Sequence, residues 1–190
     1  AVRRNDEGKL ELEIVSGVRI RVSAPRIGAR TLKARGIAGS GLLSLVNLLR
    51  KEGKIDASGR LEGGRIFLTN KVYVSQSDVR ELQKAKAAVR AAFEVLLERL
   101  KLSANDLDEL VLTGSFGARI EVRDALELGM IPRIKKERVK VFANGAGMGA
   151  GMMLDREAFE FASELAENVK HIELYADQSF MDKFVENMRL

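Results

Sequence analysis

The 190-residue chain contains no cysteine and no tryptophan, and its only histidine is His171. The absence of cysteine excludes disulfides, thiolate zinc sites and cysteine-bound iron–sulfur clusters within this stretch, and it fits a cytoplasmic setting. His171 would have to serve any catalytic triad, yet it begins a predicted strand, and no acidic residues cluster with it at metal-ligand spacing. No apolar run approaches the ~18 residues that a membrane span needs, and Ala1 opens no signal-peptide pattern. We therefore expect a cytoplasmic protein without a membrane segment or a metal site.

Aromatic residues are also scarce, at 5%, although the net charge is +5. Binding of single-stranded nucleic acid needs aromatic side chains beside the basic ones, and no such cluster is present. The 27 acidic residues are mixed among the 32 basic ones, which predicts a solvated mixed surface instead. A hydrophobic content of 46% suffices for one good core. Because the chain begins with Ala-Val-Arg-Arg and lacks an initiator methionine, we expect a fragment of a longer protein.

From Gly36 onward, predicted strands and helices alternate, which indicates an α/β fold. Residues 10–23 alternate as a hairpin around Ser16-Gly17, so we assign 1–35 to a hairpin and connector and 36–190 to the main domain. The first half of the main domain is predicted to contain a helix after Gly41 closed by Gly53, a hairpin around Asn70-Lys71 and a capped helix from Ser75 to about Leu100. The second half is predicted to contain a capped helical turn at 103–106 and strands at 110–112, 139–142 and 171–175. Its predicted helices lie at 122–128, from just after Gly151 to about 169, and from about 179.

Three glycine-rich turns, at 36–41, 114–117 and 145–151, are the most informative feature of the sequence. The first and third lead into helices, whose N-terminal N–H groups and dipole attract phosphate. The second follows the apolar run Leu110-Val111-Leu112, and ligands bind beyond the carboxyl ends of strands in open α/β sheets. We therefore predict that a nucleotide lies over residues 114–117.

Other chemistries fit the sequence less well. Gly145-x-Gly147-x-x-Ala150, with Glu173 on a later strand, partly matches the Rossmann dinucleotide fingerprint, but the acid comes late and only one βαβ unit is present. Neither Ser40 nor Ser115 completes the Gly-x-Ser-x-Gly motif of serine hydrolases. No Gly-x-x-x-x-Gly-Lys-Ser/Thr phosphate loop is present. A dinucleotide site thus remains a weaker alternative.

The predicted long helix carries one residue that breaks its pattern. Its apolar stripe consists of Val79, Leu82, Val89, Phe93, Leu96 and Leu100. At ~100° per residue, Lys86 projects into that apolar sector. Either Lys86 snorkels at the edge of the sector, or it is aimed at an anion or ribose in a cleft.

Several segments occur in an order that resembles a known family. They are Gly36-Ile-Ala-Gly-Ser-Gly-Leu-Leu, residues 74–90, Leu112-Thr-Gly-Ser-Phe-Gly, Asn144-Gly-Ala-Gly, His171-Ile-Glu-Leu and Phe180-Met-Asp-Lys-Phe. Together they resemble the C-terminal part of the reductive activators of corrinoid proteins, which are ATP-dependent iron–sulfur proteins with an actin/Hsp70/sugar-kinase-type domain. The resemblance implies the second, adenosine-side subdomain of an actin/Hsp70-like (ribonuclease H-like) ATPase fold.

The resemblance also implies a role. Such activators use ATP to drive reduction of an inactive Co(II) corrinoid protein to Co(I), so that a methyltransferase can resume turnover. It implies ATP or ADP with Mg as cofactor in the full-length protein, and an iron–sulfur cluster in a separate domain. The implied partners are the remainder of the polypeptide and a corrinoid protein or methyltransferase, with a homodimer as a further option. The isolated chain is expected to be inactive, because it lacks the Asp-x-Gly-Thr phosphate loops of the other half.

Carried over by position, Gly114, Ser115 and Gly117 match the adenosine turn, and the long helix faces the nucleotide. The candidate nucleotide-binding residues are Gly39, Ser40, Gly41, Gln83, Lys86, Arg90, Gly114, Ser115, Phe116, Gly117, Asn144, Gly145 and Gly147. The first turn departs from the family pattern, which commonly has cysteine where Ala38 stands and an acid where Ser44 stands. The missing acid weakens any role of this turn in holding a metal–nucleotide.

Two other classes of function stay open, because fold does not fix function. The chain is compatible with another enzyme of the same superfold, such as a kinase or an acyl-CoA dehydratase activator. It is also compatible with a non-catalytic interaction module, in which the glycines only permit close packing.

Overall fold

The computed structural model describes residues 2–4, 10–13, 19–21 and 36–190. Its strands are β1 Val2–Arg4, β2 Leu10–Glu13, β3 Arg19–Arg21, β4 Arg65–Phe67, β5 Tyr73–Ser75, β6 Leu110–Thr113 and β7 Val139–Phe142. Its α-helices are α1 Gly39–Lys51, α2 Gln76–Arg99, α3 Gly114–Gly117, α4 Val122–Glu127, α5 Gly145–Met152, α6 Arg156–Asn168 and α7 Gln178–Glu186. Short 3-10 helices lie at Ala104–Asp106, Lys136–Arg138 and Leu174–Ala176.

The strands form three small sheets within the described residues. β2 pairs antiparallel with β3, with Leu12 opposite Ile20, which confirms the predicted hairpin pairing. The predicted turn at Ser16-Gly17 lies outside the described residues. β1 adds an antiparallel strand on the other side of β2, which the sequence pattern did not indicate. The predicted hairpin of β4 and β5 is also present, with Phe67 opposite Tyr73.

The parallel pair β6 and β7 confirms the α/β class. Their register runs from Leu110 opposite Val139 to Thr113 opposite Phe142. Parallel strands need a crossover connection, and α3, α4 and a 3-10 helix supply it here. Because both strands end at the same edge, the residues that follow Thr113 and Phe142 emerge side by side. This edge carries the second and third glycine turns.

Both predicted capping boxes are present. The backbone N–H of Ser75 donates to the Asp78 carboxylate at 2.8 Å, and the Ser75 Oγ accepts the Asp78 N–H at the start of α2. Ser103 and Asp106 repeat this exchange at the 3-10 helix before β6. A capping box satisfies N–H groups that a helix start leaves free, so local sequence alone fixes these two boundaries.

The buried face of α2 differs from the predicted apolar stripe. Val79 and Leu82 are buried, but Val89 and Leu96 are exposed and Leu100 is 66% exposed. The buried positions farther along the helix are Gln83, Lys86, Ala87, Ala91 and Val95. Small alanines let neighbouring elements approach closely, and the two polar side chains have partners described below. Of the predicted stripe beyond Leu82, Phe93 still packs against the core, whereas Val89, Leu96 and Leu100 do not belong to the buried face.

Two predictions for the last third of the chain were wrong. The glycine turn predicted at 145–151 is itself helical and forms α5. The helix predicted to follow it is α6, which begins where the carboxylate of Asp155 accepts the Ala158 N–H. The predicted strand at 171–175 pairs with none of the described strands and contains instead the start of a 3-10 helix. Glu173 therefore lies on no strand, which removes the ribose-binding acid of the Rossmann alternative.

No helix in the described part of the chain combines the length and apolar character needed to cross a membrane.

Candidate nucleotide site

The second glycine turn is a single helical turn, α3, which leaves the end of β6. Gly114 has φ +79°, and a Cβ built on it would have no other atom within 4 Å. Gly114, Ser115 and Phe116 are exposed. Because the N–H groups of the first turn of a helix have no acceptor inside the helix, the turn presents backbone donors to open space.

Gly117 has a different role, because it is buried against β6. A Cβ built on Gly117 would lie 3.2 Å from the carbonyl carbon of Leu112. That distance is shorter than ordinary van der Waals contact between carbon atoms. Gly117 therefore lets α3 pack on the strand, and a larger residue there would disturb the fold as well as any ligand.

The first glycine turn contacts the second. A Cβ built on Gly39 would lie 3.4 Å from Cε2 of Phe116, whose side chain is 40% exposed. Ala38, the N-cap residue of α1, supplies no side-chain cap. The start of α1 therefore carries free N–H donors and the positive end of the helix dipole beside Phe116. Of the other two predicted residues in this turn, Ser40 is buried and Gly41 is half-buried.

The third glycine turn also adjoins the second. The backbone N–H of Gly145 donates to the Oγ1 of Thr113 at 3.0 Å. Asn144 adopts the left-handed conformation with φ +54°, and its side chain lies against Gly147. The structure thus brings all three predicted turns to one edge of the β6–β7 sheet.

Gln83 does not reach this edge. Its side chain is 1% exposed, and its Nε2 donates to the carbonyls of Ser58 at 3.1 Å and Met188 at 2.7 Å. Its Oε1 accepts from Nη1 of Arg80 at 2.7 Å. Gln83 thus joins α2 to the loop after α1 and to the residues after α7.

Lys86 and Arg90 bind the end of α4 instead. The Nζ of Lys86 donates to the Leu128 carbonyl at 3.0 Å, and Nη1 of Arg90 donates to the Ile131 carbonyl at 2.8 Å. Lys86 is only 4% exposed, so it does not snorkel. A nucleotide-binding role for Gln83, Lys86 and Arg90 stays a prediction, and it would require breaking these hydrogen bonds.

Burial is the largest influence on the pKa of Lys86. Burial, followed by the positive charges of Arg50 and Arg90, lowers the pKa of the Lys86 ammonium to about 8, although Glu94 acts in the opposite direction. The C-terminal carbonyls of a helix carry partial negative charge, which suits a cation there. Lys86 is therefore a buried group that stabilises the end of α4 and loses its proton at mildly alkaline pH.

A polar cluster that sequence reasoning missed also holds α4. The Nδ2 of Asn47 donates to Asp124 at 2.7 Å and to Glu127 at 2.6 Å. Burial alone would raise the pKa of Glu127, but hydrogen bonds from Lys51, Asn47 and Arg123 outweigh burial and lower that pKa to about 2. α4 follows closely on the second glycine turn, so these contacts fix the far end of the segment that carries the turn.

The position of the missing family acid lies inside the protein. Ser44 is buried in α1, and its Oγ has no hydrogen-bond partner among the described residues. The first turn therefore offers backbone groups to a ligand and no acidic side chain. Within residues 36–190 and the described strands before them, no three His, Asp or Glu residues are grouped to hold a metal ion.

Comparison with known proteins identifies the family of this arrangement. Residues 3–190 match the family described as the C-terminal domain of RACo, the ASKHA domain. The chain belongs to this family. The family and the actin/Hsp70-like fold predicted from the sequence are thereby confirmed, and ASKHA domains are nucleotide-binding domains.

Two similar proteins are named for the activation or reduction of corrinoid proteins. The corrinoid activation enzyme RamQ of Eubacterium limosum is 34% identical over 117 residues, which are 61% of this chain and 20% of RamQ. The Co(II) methylated amine-specific corrinoid protein reductase of Methanosarcina barkeri is 26% identical over 150 residues, which are 78% of this chain and 28% of the reductase.

A solved structure has the same fold. A reductive activator for a corrinoid, iron–sulfur protein superposes on the whole chain with a TM-score of 0.78 and 24% identity, and the match covers 32% of that protein. The chain therefore spans less than a third of the length of these two curated relatives and of this structure.

Proposed function

We propose that the chain is the adenosine-side half of the ATP-binding domain of a reductive activator, which uses ATP to drive reduction of an inactive Co(II) corrinoid protein to Co(I) in methyl-transfer metabolism. The observation that carries the proposal is the meeting of three glycine turns at one edge of the β6–β7 sheet in an ASKHA domain. The names of the relatives support the reaction class. We further propose that 36–190 is the half-domain and that 1–35 leads into it.

The described residues fit a nucleotide. The open space at Gly114 leaves the backbone donors of α3 accessible, and the ring of Phe116 offers apolar surface to an adenosine. The uncapped start of α1 at Gly39 supplies donors and a positive dipole end, which suit phosphate. When bound, ATP would supply differential affinity for a closed arrangement of two lobes.

An iron–sulfur cluster does not fit these residues, because the chain has no cysteine to ligate one. We propose that the cluster and the ligands of a magnesium ion belong to other parts of a longer cytoplasmic protein. The remainder of that polypeptide and a corrinoid protein or methyltransferase are the proposed partners, and self-association to a homodimer is a further possibility.

The surface of α5 and α6 supports a place in a larger assembly. Neither helix buries any side chain. Phe161 and Leu165 are four residues apart on α6, so they lie on one side of the helix, and both are exposed, as is Val169 directly after the helix. Exposed apolar surface of this kind marks contact sites.

An added negative charge at the second turn should weaken nucleotide binding. We expect the Ser115→Asp variant of the full-length protein to bind ATP at least ~10-fold more weakly, a loss of ~1.4 kcal/mol. Ser115 is preferable to Gly117, because Gly117 is packed on Leu112. Calorimetry of both proteins, with Ser77→Asp on α2 as the charge-matched control, measures the effect. Equal affinities for the wild type and the Ser115→Asp variant would rule out the proposed site.

The reaction class needs a separate assay. Full-length wild type should form Co(I) from a Co(II) corrinoid protein in the presence of a reductant and ATP, followed by absorbance. The Ser115→Asp variant should do so more slowly at limiting ATP, whereas Ser77→Asp should match the wild type. Binding of ATP without any corrinoid reduction would favour a kinase or another actin-like ATPase.

A further inference from the structure

One side chain joins the second and third glycine turns. Thr113 is the last residue of β6, and its Oγ1 accepts the backbone N–H of Gly145, the first residue of α5. The β6–β7 ladder ends at Thr113 opposite Phe142, so it does not extend to the two turns themselves. The hydroxyl is thus a link between the turns beyond the end of the ladder.

The link also replaces a missing cap. Asn144 is the N-cap residue of α5, and its side chain makes no capping hydrogen bond. The N–H of Gly145 is one of the donors that a helix start leaves free. Thr113 satisfies it from a different element, so the start of α5 is fixed relative to the end of β6 rather than to its own loop.

The glycine at 145 is required by this contact. A Cβ built on Gly145 would overlap the Oγ1 of Thr113. Gly145, which the sequence pattern assigned to ligand binding, therefore allows the Thr113 side chain to approach closely, and its N–H already donates to Thr113. The donors of this turn that remain for a ligand are the N–H groups of Ala146 and Gly147, which follow in the first turn of α5.

We propose that Thr113 is a positioning residue of the nucleotide site, which holds the second and third glycine turns together as one binding surface. The proposal rests on the proposed function, because it assigns a role toward a nucleotide. Thr113 acts through Gly145 and the start of α5. Loss of the Thr113 hydroxyl should separate the two turns while leaving the β6–β7 ladder in place.

Two substitutions of Thr113 separate the hydroxyl from the shape of the side chain. Thr113→Val keeps the shape and removes the acceptor, whereas Thr113→Ser keeps the acceptor. In the full-length protein we expect at least ~10-fold weaker ATP binding for Thr113→Val, and affinity close to wild type for Thr113→Ser. Amide hydrogen exchange at Gly145 should accelerate in the valine variant and not in the serine variant.

Thr69→Val is the matched control. The Oγ1 of Thr69 accepts the N–H groups of Lys71 and Val72 in the β4–β5 turn, so the variant also loses a hydroxyl acceptor, away from the three glycine turns. We expect its ATP affinity to equal that of the wild type. A comparable loss of affinity in Thr69→Val would show a general effect of stability and would contradict the positioning role.

The possible failures are distinguishable. If Thr113→Val binds ATP as tightly as the wild type, the inference is overturned and the proposed function stands. Unchanged exchange at Gly145 in Thr113→Val would overturn the inference too, because the link itself would be absent. A full-length wild type that binds no ATP would overturn the proposed function together with the role assigned to Thr113.

Discussion

Between pH 8 and pH 10.5, Lys86 alone should raise the free energy of unfolding by up to about 3 kcal/mol. The pKa of its ammonium falls from 10.5 to about 8 in the folded protein. Each unit of pKa difference corresponds to about 1.4 kcal/mol between the two protonation states. Few single groups are expected to change the stability of this chain as much over so narrow a pH range.

Whether stability rises or falls with pH depends on which state, folded or unfolded, binds the Lys86 proton. Below pH 8, folded and unfolded chains both carry the proton, and folding includes the full cost of burying the charge. Above pH 8, the folded chain releases the proton, while the unfolded chain keeps it until about pH 10.5. Because the unfolded state then binds more protons, stability rises with pH across this window.

Urea unfolding of the wild type and of Lys86→Met at several pH values from 7 to 10.5 measures the effect. The informative quantity is the difference between the two proteins, because it cancels the contributions of all groups that they share. That difference should shift in favour of the wild type as pH rises. Lys84→Met, an exposed neighbour on α2 that is ion-paired with Glu81, should follow the wild-type profile. Parallel profiles for wild type and Lys86→Met would contradict the buried-charge account.

Local chemistry made much of the fold predictable. Ser75 with Asp78, and Ser103 with Asp106, fix element boundaries through contacts three residues apart. Alternation of apolar runs and helical patterns gave the α/β class, and the glycine turns indicated the edge where β6 and β7 end. In each case the residues that determine the structure are neighbours in the sequence.

Prediction failed where the partner is distant. Lys86 and Gln83 are buried because they meet carbonyls 42 and 105 residues away, at Leu128 and Met188. Periodicity placed Lys86 in the apolar sector of the helix, but it contains no information on the carbonyls that Lys86 and Gln83 meet. The predicted strand at 171–175 failed for a related reason, because a strand needs a neighbour to pair with.

The same limit applies to the candidate site. The sequence indicated each glycine turn, but the contact of Gly39 with Phe116 and the hydrogen bond from Gly145 to Thr113 arise only in the folded chain. Thr113 carries no motif of its own beyond preceding Gly114. Its position as the last strand residue before a glycine was the available signal, since ligands bind beyond the carboxyl ends of the strands in open α/β sheets.

Gly59→Ala should lower the free energy of unfolding by about 3 kcal/mol, although the substitution adds only one methyl group. Gly59 has φ +80°, and a Cβ built there would overlap the side-chain amide of Gln83. That amide is buried and cannot move without losing its bonds to Ser58, Met188 and Arg80. Leaving a buried polar group without partners costs about 1–3 kcal/mol, and a left-handed conformation costs a residue with a Cβ about 1 kcal/mol more.

Gly63→Ala is the matched control, because Gly63 has φ +69° and open space where the Cβ would lie. We expect it to cost only the ~1 kcal/mol of the left-handed conformation. Urea or thermal unfolding of the two variants therefore separates backbone strain from the collision with Gln83. Equal destabilisation by the two alanines would show that Gln83 yields without cost.

A double-mutant cycle provides the decisive test. In a Gln83→Ala background the amide is gone, so Gly59→Ala should cost no more than Gly63→Ala does in the wild type. The expected coupling between positions 59 and 83 is then about 2 kcal/mol, well above the ~0.5 kcal/mol within which independent sites add. Additive effects would mean that the strain at Gly59 lies in the backbone alone. Strong coupling would show that the methyl group at position 59 acts through the side chain of Gln83, whose amide bonds the carbonyls of Ser58 and Met188.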